Sequence, residues 1–206
     1  IVHDKNDLSD INIDKICTSS KDAKKGSLFI AINGTVNDGH DFINEAVENG
    51  ASAVISNGKN VGSFSVPNIK VSNTRLAASR VSAEFYNYPS KELKIIGITG
   101  TNGKSTTCQL LYEVLRDQNF DVRLVGNIGN PILSIRNVKK KTVFVVEASS
   151  YQLDYSSVFR SKYAVILNIT ADHIERHKSL KNYINAKFKL LKSQTIGSFA
   201  YVKNCL

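Results

Sequence analysis

Lys104 and Ser105 stand directly behind a glycine-bearing turn, in the stretch Ile95-Ile-Gly-Ile-Thr-Gly-Thr-Asn-Gly-Lys-Ser-Thr-Thr107. An apolar run, Leu93 to Ile98, enters the turn, and a helix-like segment leaves it. A phosphate site needs that order. Glycines let backbone N–H groups approach an anion, and the first turn of a helix adds positive potential. A lysine can then contact β/γ-phosphates, and a serine hydroxyl can ligate Mg²⁺. The spacing departs from the standard G-x-x-x-x-G-K-[ST], because Ile98 occupies the place of the first glycine. What is present is Gly100-Thr-Asn-Gly103-Lys104-Ser105, with Gly97 further out.

Three further polar clusters follow apolar runs. Glu147-Ala-Ser-Ser150 comes after Thr142-Val-Phe-Val-Val146. A carboxylate at a strand tip can hold Mg²⁺ directly or through water. Ser149 and Ser150 are equally good helix caps, and the two readings stand level. Asn168-Ile-Thr-Ala-Asp172-His173 follows Val165-Ile-Leu167, so Asp172 and His173 could reach a metal or phosphate, although a lone histidine is commonly structural. Lys187 lies on a helical segment, and spacing alone reads it as one more surface lysine beside Lys181, Lys189 and Lys192.

The elements that must hold these groups are legible from periodicity. Strands are expected over Leu28–Ile32, Ala53–Ser56 and Ile69–Val71, and helices over Asp41–Asn49 and Thr74–Tyr86. Asn87-Tyr88-Pro89-Ser90 is the boundary, since proline disfavours helix just before it. Beyond it strands (Lys94–Ile98, Val122–Val125, Thr142–Val146, Ala164–Leu167) alternate with helices (Lys104–Gln118, Pro131–Arg136, Leu180–Lys192). Continuous apolar strands separated by helices predict a parallel sheet covered on both faces. The fold class is α/β, with a small domain over 1–90 and a P-loop NTPase-like, mostly parallel domain over 91–206. Ligands on such sheets sit at the carboxyl ends of strands.

Bulk properties narrow the classes. No run of eighteen apolar residues exists to form a membrane helix. Cys17, Cys108 and Cys205 have neither metal-ligand spacing nor a disulfide framework, which reads as reduced cytoplasmic thiols. The formal net charge is +9, but the lysines are scattered, and Lys139-Lys140-Lys141 reads as a solvated turn. Nothing interleaves basic and aromatic residues as an RNA platform would, so anionic small molecules are the expected partners and nucleic acid is not. The chain contains no Met, and Gly197–Val202 reads as a fresh strand near its end, so a fragment is expected.

Taken together, Gly100-Thr-Asn-Gly-Lys-Ser-Thr-Thr107, Gly126-Asn-Ile-Gly129, Glu147-Ala-Ser-Ser150, Asn168-Ile-Thr-Ala-Asp-His173 and Tyr183-Ile-Asn-Ala-Lys187 resemble, in this order, the motifs of the Mur ligases. These enzymes use ATP to add amino acids to the UDP-N-acetylmuramoyl precursor of peptidoglycan. The resemblance implies that Gly100, Thr101, Asn102, Gly103, Lys104, Ser105 and Thr106 bind ATP. It implies one Mg²⁺ on Ser105 and Glu147, and a second on His173 and an N-carboxylated Lys187. Asn127 would lie near the γ-phosphate, and Ser20, Gly39, His40, Ser149 and Ser150 would contact the UDP-linked substrate. The substrate carboxylate would attack the γ-phosphate, and the incoming amine would attack the resulting acyl phosphate.

The two halves resemble different members. Val125-Gly-Asn-Ile-Gly-Asn-Pro131 and Glu147-Ala-Ser-Ser-Tyr-Gln-Leu153 resemble the D-glutamate-adding ligase, since a third-residue-adding ligase would carry His where Tyr151 stands. Gly26–Ala31, Asp38–Ile43, Asn73–Leu76 and Phe85–Ser90 resemble the ligases that add the third residue or D-Ala-D-Ala. Ser19-Ser20-Lys21 replaces their usual Asp-Ser-Arg. D-Glutamate addition is the expected activity, with addition of diaminopimelate or lysine as its alternative. A folylpolyglutamate synthase-like ligase or a non-catalytic nucleotide-binding fragment is more remote. The fragment by itself is expected to be inactive.

Overall fold

The computed structural model describes residues 2–3, 11–34, 37–59, 61–130, 132 and 135–203. The chain divides into two units, Ile1–Ser82 and Ala83–Leu206. Half of the helix expected over Pro131–Arg136 lies outside the described residues, Ile135 and Arg136 are not helical, and Cys205 lies outside the described residues.

The first unit carries strands β1 (Val2–His3), β2 (Lys15–Cys17), β3 (Ser27–Ile30), β4 (Ala51–Ser56) and β5 (Asn68–Lys70), ordered β1-β5-β4-β3-β2. β2 to β5 pair in parallel, and β1 joins β5 antiparallel. Two helices flank them, α1 (Ile43–Glu48) and α2 (Thr74–Phe85). The period-2 alternation of β3 divides the core. Phe29 and Ala31 pack with Ile43 and Ala46 of α1, while Leu28 and Ile30 pack with Ala77, Ala78 and Val81 of α2. The helix expected from Asp41 begins later, because a 3₁₀ turn, Gly39–Phe42, precedes α1.

Asn87 and Tyr88 both take positive φ, 57° and 50°, and end the helical run before Pro89. The second unit is a five-stranded parallel sheet ordered β10-β9-β6-β8-β7. Its strands are β6 (Lys94–Thr99), β7 (Val122–Gly126), β8 (Val143–Glu147), β9 (Tyr163–Ile166) and β10 (Phe199–Val202). The helices are α3 (Lys104–Asp117), α4 (Ser150–Tyr155), α5 (Ile174–His177) and α6 (Leu180–Lys192). Every residue of β8 is buried, as a strand covered on both faces requires. Ile98, Val143 and Val145 pack under α3 through Cys108, Leu111 and Leu115. Leu190 of α6 packs with Ala148, Leu153 and Ala164.

This strand order builds a crevice. The chain leaves β6 toward β7, inserts β8 between them, and then crosses to β9 on the other side. The carboxyl end of β6 is therefore flanked by the tips of β8 and β9, the place where ligands sit on doubly wound sheets.

Candidate active site

The turn Gly100–Gly103 joins β6 to α3. Gly103 takes φ +79° and caps α3 with no side chain, leaving the N–H groups of the first turn without a capping acceptor. A helix start of this kind attracts anions. Lys104 Nζ folds back to donate to the Thr101 carbonyl at 2.9 Å, and Lys104 lines the crevice.

The shape of the turn is set from β9. Thr101 N–H donates to the Asn168 carbonyl at 3.0 Å. Asn102 N–H donates to Asn168 Oδ1 at 2.8 Å, and Asn168 Nδ2 donates to the Asn102 carbonyl at 3.0 Å. Thr101 Oγ1 donates to the Thr170 carbonyl and accepts from Thr170 N–H. Its one proton is thereby used, so the Tyr183 hydroxyl, 3.1 Å away, is the donor to it. Asn168, Thr170 and Tyr183 all lie in the quoted motifs, yet their positioning work is invisible to periodicity, because it depends on backbone geometry at two strand tips.

Glu147 ends β8 and is 2% exposed. Ser105 Oγ donates to Oε2 at 2.9 Å, and Asn127 Nδ2 donates to Oε1 at 3.2 Å. Among the described residues it has no ion-pair partner, so a buried carboxylate faces two neutral donors alone. Such a charge is costly until a cation meets it. A carboxylate with a neighbouring hydroxyl is a hard-oxygen set suited to Mg²⁺. The other reading of this cluster also holds, because Ser149 caps α4 in a capping box with Gln152.

Lys187 is not the surface lysine that spacing suggested. It is 1% exposed, and its Nζ donates to the Gly100 carbonyl at 2.8 Å. The Tyr183 ring centroid is 4.6 Å from the same nitrogen. Burial, reinforced by the positive charge of Lys104 and opposed by Asp172, brings its pKa down to about 8. α6 buries one face, and Tyr183, Ala186, Lys187 and Leu190 share it at i, i+3, i+4, i+7. The lysine thus occupies a core position by helical register.

His173 has φ +53° and caps the short helix α5. Its ring lies 5.0 Å from that of Tyr151 and 6.4 Å from that of Tyr183, with Asp172 Oδ2 at 3.4 Å. One turn on, buried His177 shares a 3.0 Å hydrogen bond with Ser150 Oγ, and burial lowers its pKa. A cleft of about 170 Å³ is lined by Gly100, Lys104, Asn127, Ser149, Ser150, Tyr151, Asp172, His173, Tyr183 and Lys187. Gly100, Lys104, Asn127, Ser149, Ser150, Asp172, His173 and Lys187, all singled out in the sequence, therefore share one cleft, and Glu147 joins them through Ser105 and Asn127. Asn102, Ser105 and Thr106 stand exposed at the turn and the first turn of α3. No three His, Cys, Asp or Glu side chains cluster as metal ligands among the described residues, so an ion here would need a mixed donor set.

Ser20, Gly39 and His40 belong to the first unit and are each engaged locally. Ser20 Oγ donates to Glu45 at 2.9 Å. A Cβ on Gly39 would come within 2.6 Å of the Ile32 nitrogen. His40 Nε2 accepts from Asn57 N–H at 3.0 Å, so Nδ1 carries the proton toward Asp38, 2.6 Å away. Both ring nitrogens are used, and this imidazole braces its loop.

Comparison with known proteins agrees with this geometry. Residues 98–204 match the Mur ligase middle domain, and residues 12–86 match the Mur ligase family catalytic domain. The chain belongs to the Mur ligase family. It is 36% identical over 220 residues to the UDP-N-acetylmuramoyl-L-alanyl-D-glutamate–2,6-diaminopimelate ligase of Bacillus velezensis, covering 96% of this chain and 44% of that protein. The ligase of the same name from Aquifex aeolicus is 39% identical over 198 residues, covering 85% and 40%. The solved MurF ligase of Thermotoga maritima in complex with ADP superposes with a TM-score of 0.64 at 25% identity, over 95% of this chain and 47% of that one. The chain thus spans less than half the length of these relatives. Both curated relatives carry the name of the third-residue-adding alternative, not that of the expected D-glutamate-adding ligase. No helix among the described residues is long and apolar enough to cross a membrane.

Proposed function

We propose that the protein to which this chain belongs is an ATP-dependent amide ligase that adds diaminopimelate to UDP-N-acetylmuramoyl-L-alanyl-D-glutamate in the cytoplasm. One observation carries the ligase reading: Lys104, Asn127, His173 and Lys187 share a single cleft, with buried Glu147 held between Ser105 and Asn127 beside it. The names of the relatives support the choice of substrate.

In this reading residues 1–90 hold the UDP end of the precursor and residues 91–206 hold ATP. The N–H groups of Thr101 to Gly103 and the Lys104 ammonium bind the phosphates. Lys104 releases the Thr101 carbonyl to do so, exchanging a neutral acceptor for an anionic one. Ser105 and Glu147 hold a Mg²⁺ ion, and His173 with Lys187 hold a second. Bound Mg²⁺ supplies neutralisation of phosphate charge, so that two anions can approach. Lys187 needs its neutral amine to take up carbon dioxide as a carbamate, and a pKa of about 8 keeps an appreciable neutral fraction near pH 7. Asn127 orients Glu147 through Oε1 and presents its amide to the reacting phosphoryl group. The precursor carboxylate attacks the γ-phosphorus, ADP leaves, and the amine of the amino acid then displaces phosphate from the acyl carbon. The 206-residue chain alone binds nucleotide without turnover.

The test is phosphate release by the full-length protein. UDP-N-acetylmuramoyl-L-alanyl-D-glutamate with diaminopimelate should support it, and Glu147→Gln should lower it by at least about 100-fold. Turnover with UDP-N-acetylmuramoyl-L-alanine and D-glutamate instead, or with neither pair, would refute the proposal.

A further inference from the structure

A second cavity, of about 480 Å³, lies in the same unit and is not used by the ligase chemistry. It sits at the amino ends of the strands. Lys94 opens β6, Tyr163 opens β9, and both line it. The phosphate turn begins past the other end of β6, a six-residue strand, so roughly 20 Å separates the two sites.

Two independent features point to an anion. The first is charge. Lys91, Lys94, Arg160 and Lys162 surround the cavity against the single carboxylate of Glu92. Lys162 donates to the Gly197 carbonyl, and Lys91 sits 3.7 Å from the centre of the Tyr88 ring. Lys94 and half-buried Arg160 have neither an ion-pair nor a hydrogen-bond partner among the described residues. A guanidinium drawn partly out of water without an acceptor is poorly satisfied, and its fork suits a phosphoryl group. The second feature is Ser161, also in the lining. It is 2% exposed, and its Oγ has no hydrogen-bond partner. Buried hydroxyls are normally paired, so this one is a donor held without an acceptor.

We propose that this cavity binds a small phosphorylated solute of about diphosphate size. Arg160 supplies bidentate contacts, Lys94 and Lys162 supply charge, and the Ser161 hydroxyl, enclosed beside Gly97, rotates about its Cα–Cβ bond to donate the specific hydrogen bond. The volume falls within the range of small-molecule pockets, and a concave site suits a solute better than a headgroup in a membrane. The proposal is independent of the ligase assignment, since no residue is shared with the crevice.

The experiment is calorimetric titration of the full-length protein with inorganic pyrophosphate. Lys104→Ala is included as background so that the phosphate turn does not compete. One saturable event should survive in that background. Arg160→Gln should weaken it by about tenfold or more, as loss of a charge-assisted contact does. Ser161→Ala should also weaken it several-fold while leaving thermal stability equal or higher, since it removes an unpaired buried hydroxyl. Absence of the residual event, or equal affinity in Arg160→Gln and Lys94→Gln, would overturn the proposal. So would an unchanged Ser161→Ala, which would mean diffuse charge attraction alone. Sedimentation with phosphatidylglycerol vesicles is the second arm. Capture that pyrophosphate does not displace would also overturn the solute reading, in favour of a lipid headgroup.

Discussion

Asn168 and Asn102 grip each other by two hydrogen bonds, at 2.8 and 3.0 Å, between the side chain of one and the backbone of the other. The second residue beyond the end of β9 thus dictates the curvature of the turn after β6. Asn168→Ala should weaken ATP binding by about tenfold, since each neutral hydrogen bond is worth about 1 kcal/mol. Asn168→Asp keeps the acceptor and loses the donor, so its affinity should fall between. Titration with a fluorescent nucleotide measures both.

Lys187 predicts an alkaline dependence of stability. Its pKa is about 8 in the folded chain against 10.5 as the ordinary value. Below pH 8 the folded state carries a buried ammonium at a penalty. Between about 8 and 10.5 the unfolded chain binds more protons, so stability rises with pH. In carbonate-free, metal-free buffer, Lys187→Met should flatten that rise. Urea unfolding at pH 7.5, 9 and 10 gives the readout.

His177 predicts the acid side. Burial favours its neutral form, and Ser150 meets Nε2 at 3.0 Å. As pH falls below about 6.5, the unfolded histidine takes up protons and the folded one resists, so stability drops. His177→Gln should lose less stability than the unaltered protein between pH 7 and 5, measured by thermal unfolding.

Gly126→Ala should be far more damaging than Gly103→Ala. Both glycines have positive φ, 105° and 79°. A Cβ on Gly126 would lie 2.3 Å from the Glu147 carbonyl oxygen, whereas at Gly103 the nearest atom is 3.8 Å away. The first should cost at least about 2 kcal/mol and displace Asn127, and the second about 1 kcal/mol from φ alone. Chemical denaturation of the two variants distinguishes them.

The long elements were legible because their periodicity reflects burial. The apolar run of β8 and the i, i+4 face of α6 each leave a plain mark. β2 is three residues, and α4 and α5 are six and four, too short for a period to register. The turn between β6 and α3 was readable because an apolar run, two glycines and a helical segment stand in that order. Lys187 was misjudged by spacing because a lysine on the buried face breaks the very pattern that defines the face, and only the family resemblance singled it out. Ser161 and Arg160 carried no signal, since an unpaired hydroxyl and an unpaired guanidinium are properties of surroundings.

Cys108 lies one helical turn behind Lys104, fully buried, with its thiol pKa pushed up to about 12 by burial and then by Glu147. Almost no thiolate exists there at neutral pH, and the thiolate is the form that peroxide and electrophiles attack. The Glu147 carboxylate thereby adds to burial in keeping this sulfur in its thiol form. Oxidative stress and cysteine-directed inhibitors should leave Cys108 unmodified, although it sits on the helix that opens with Lys104.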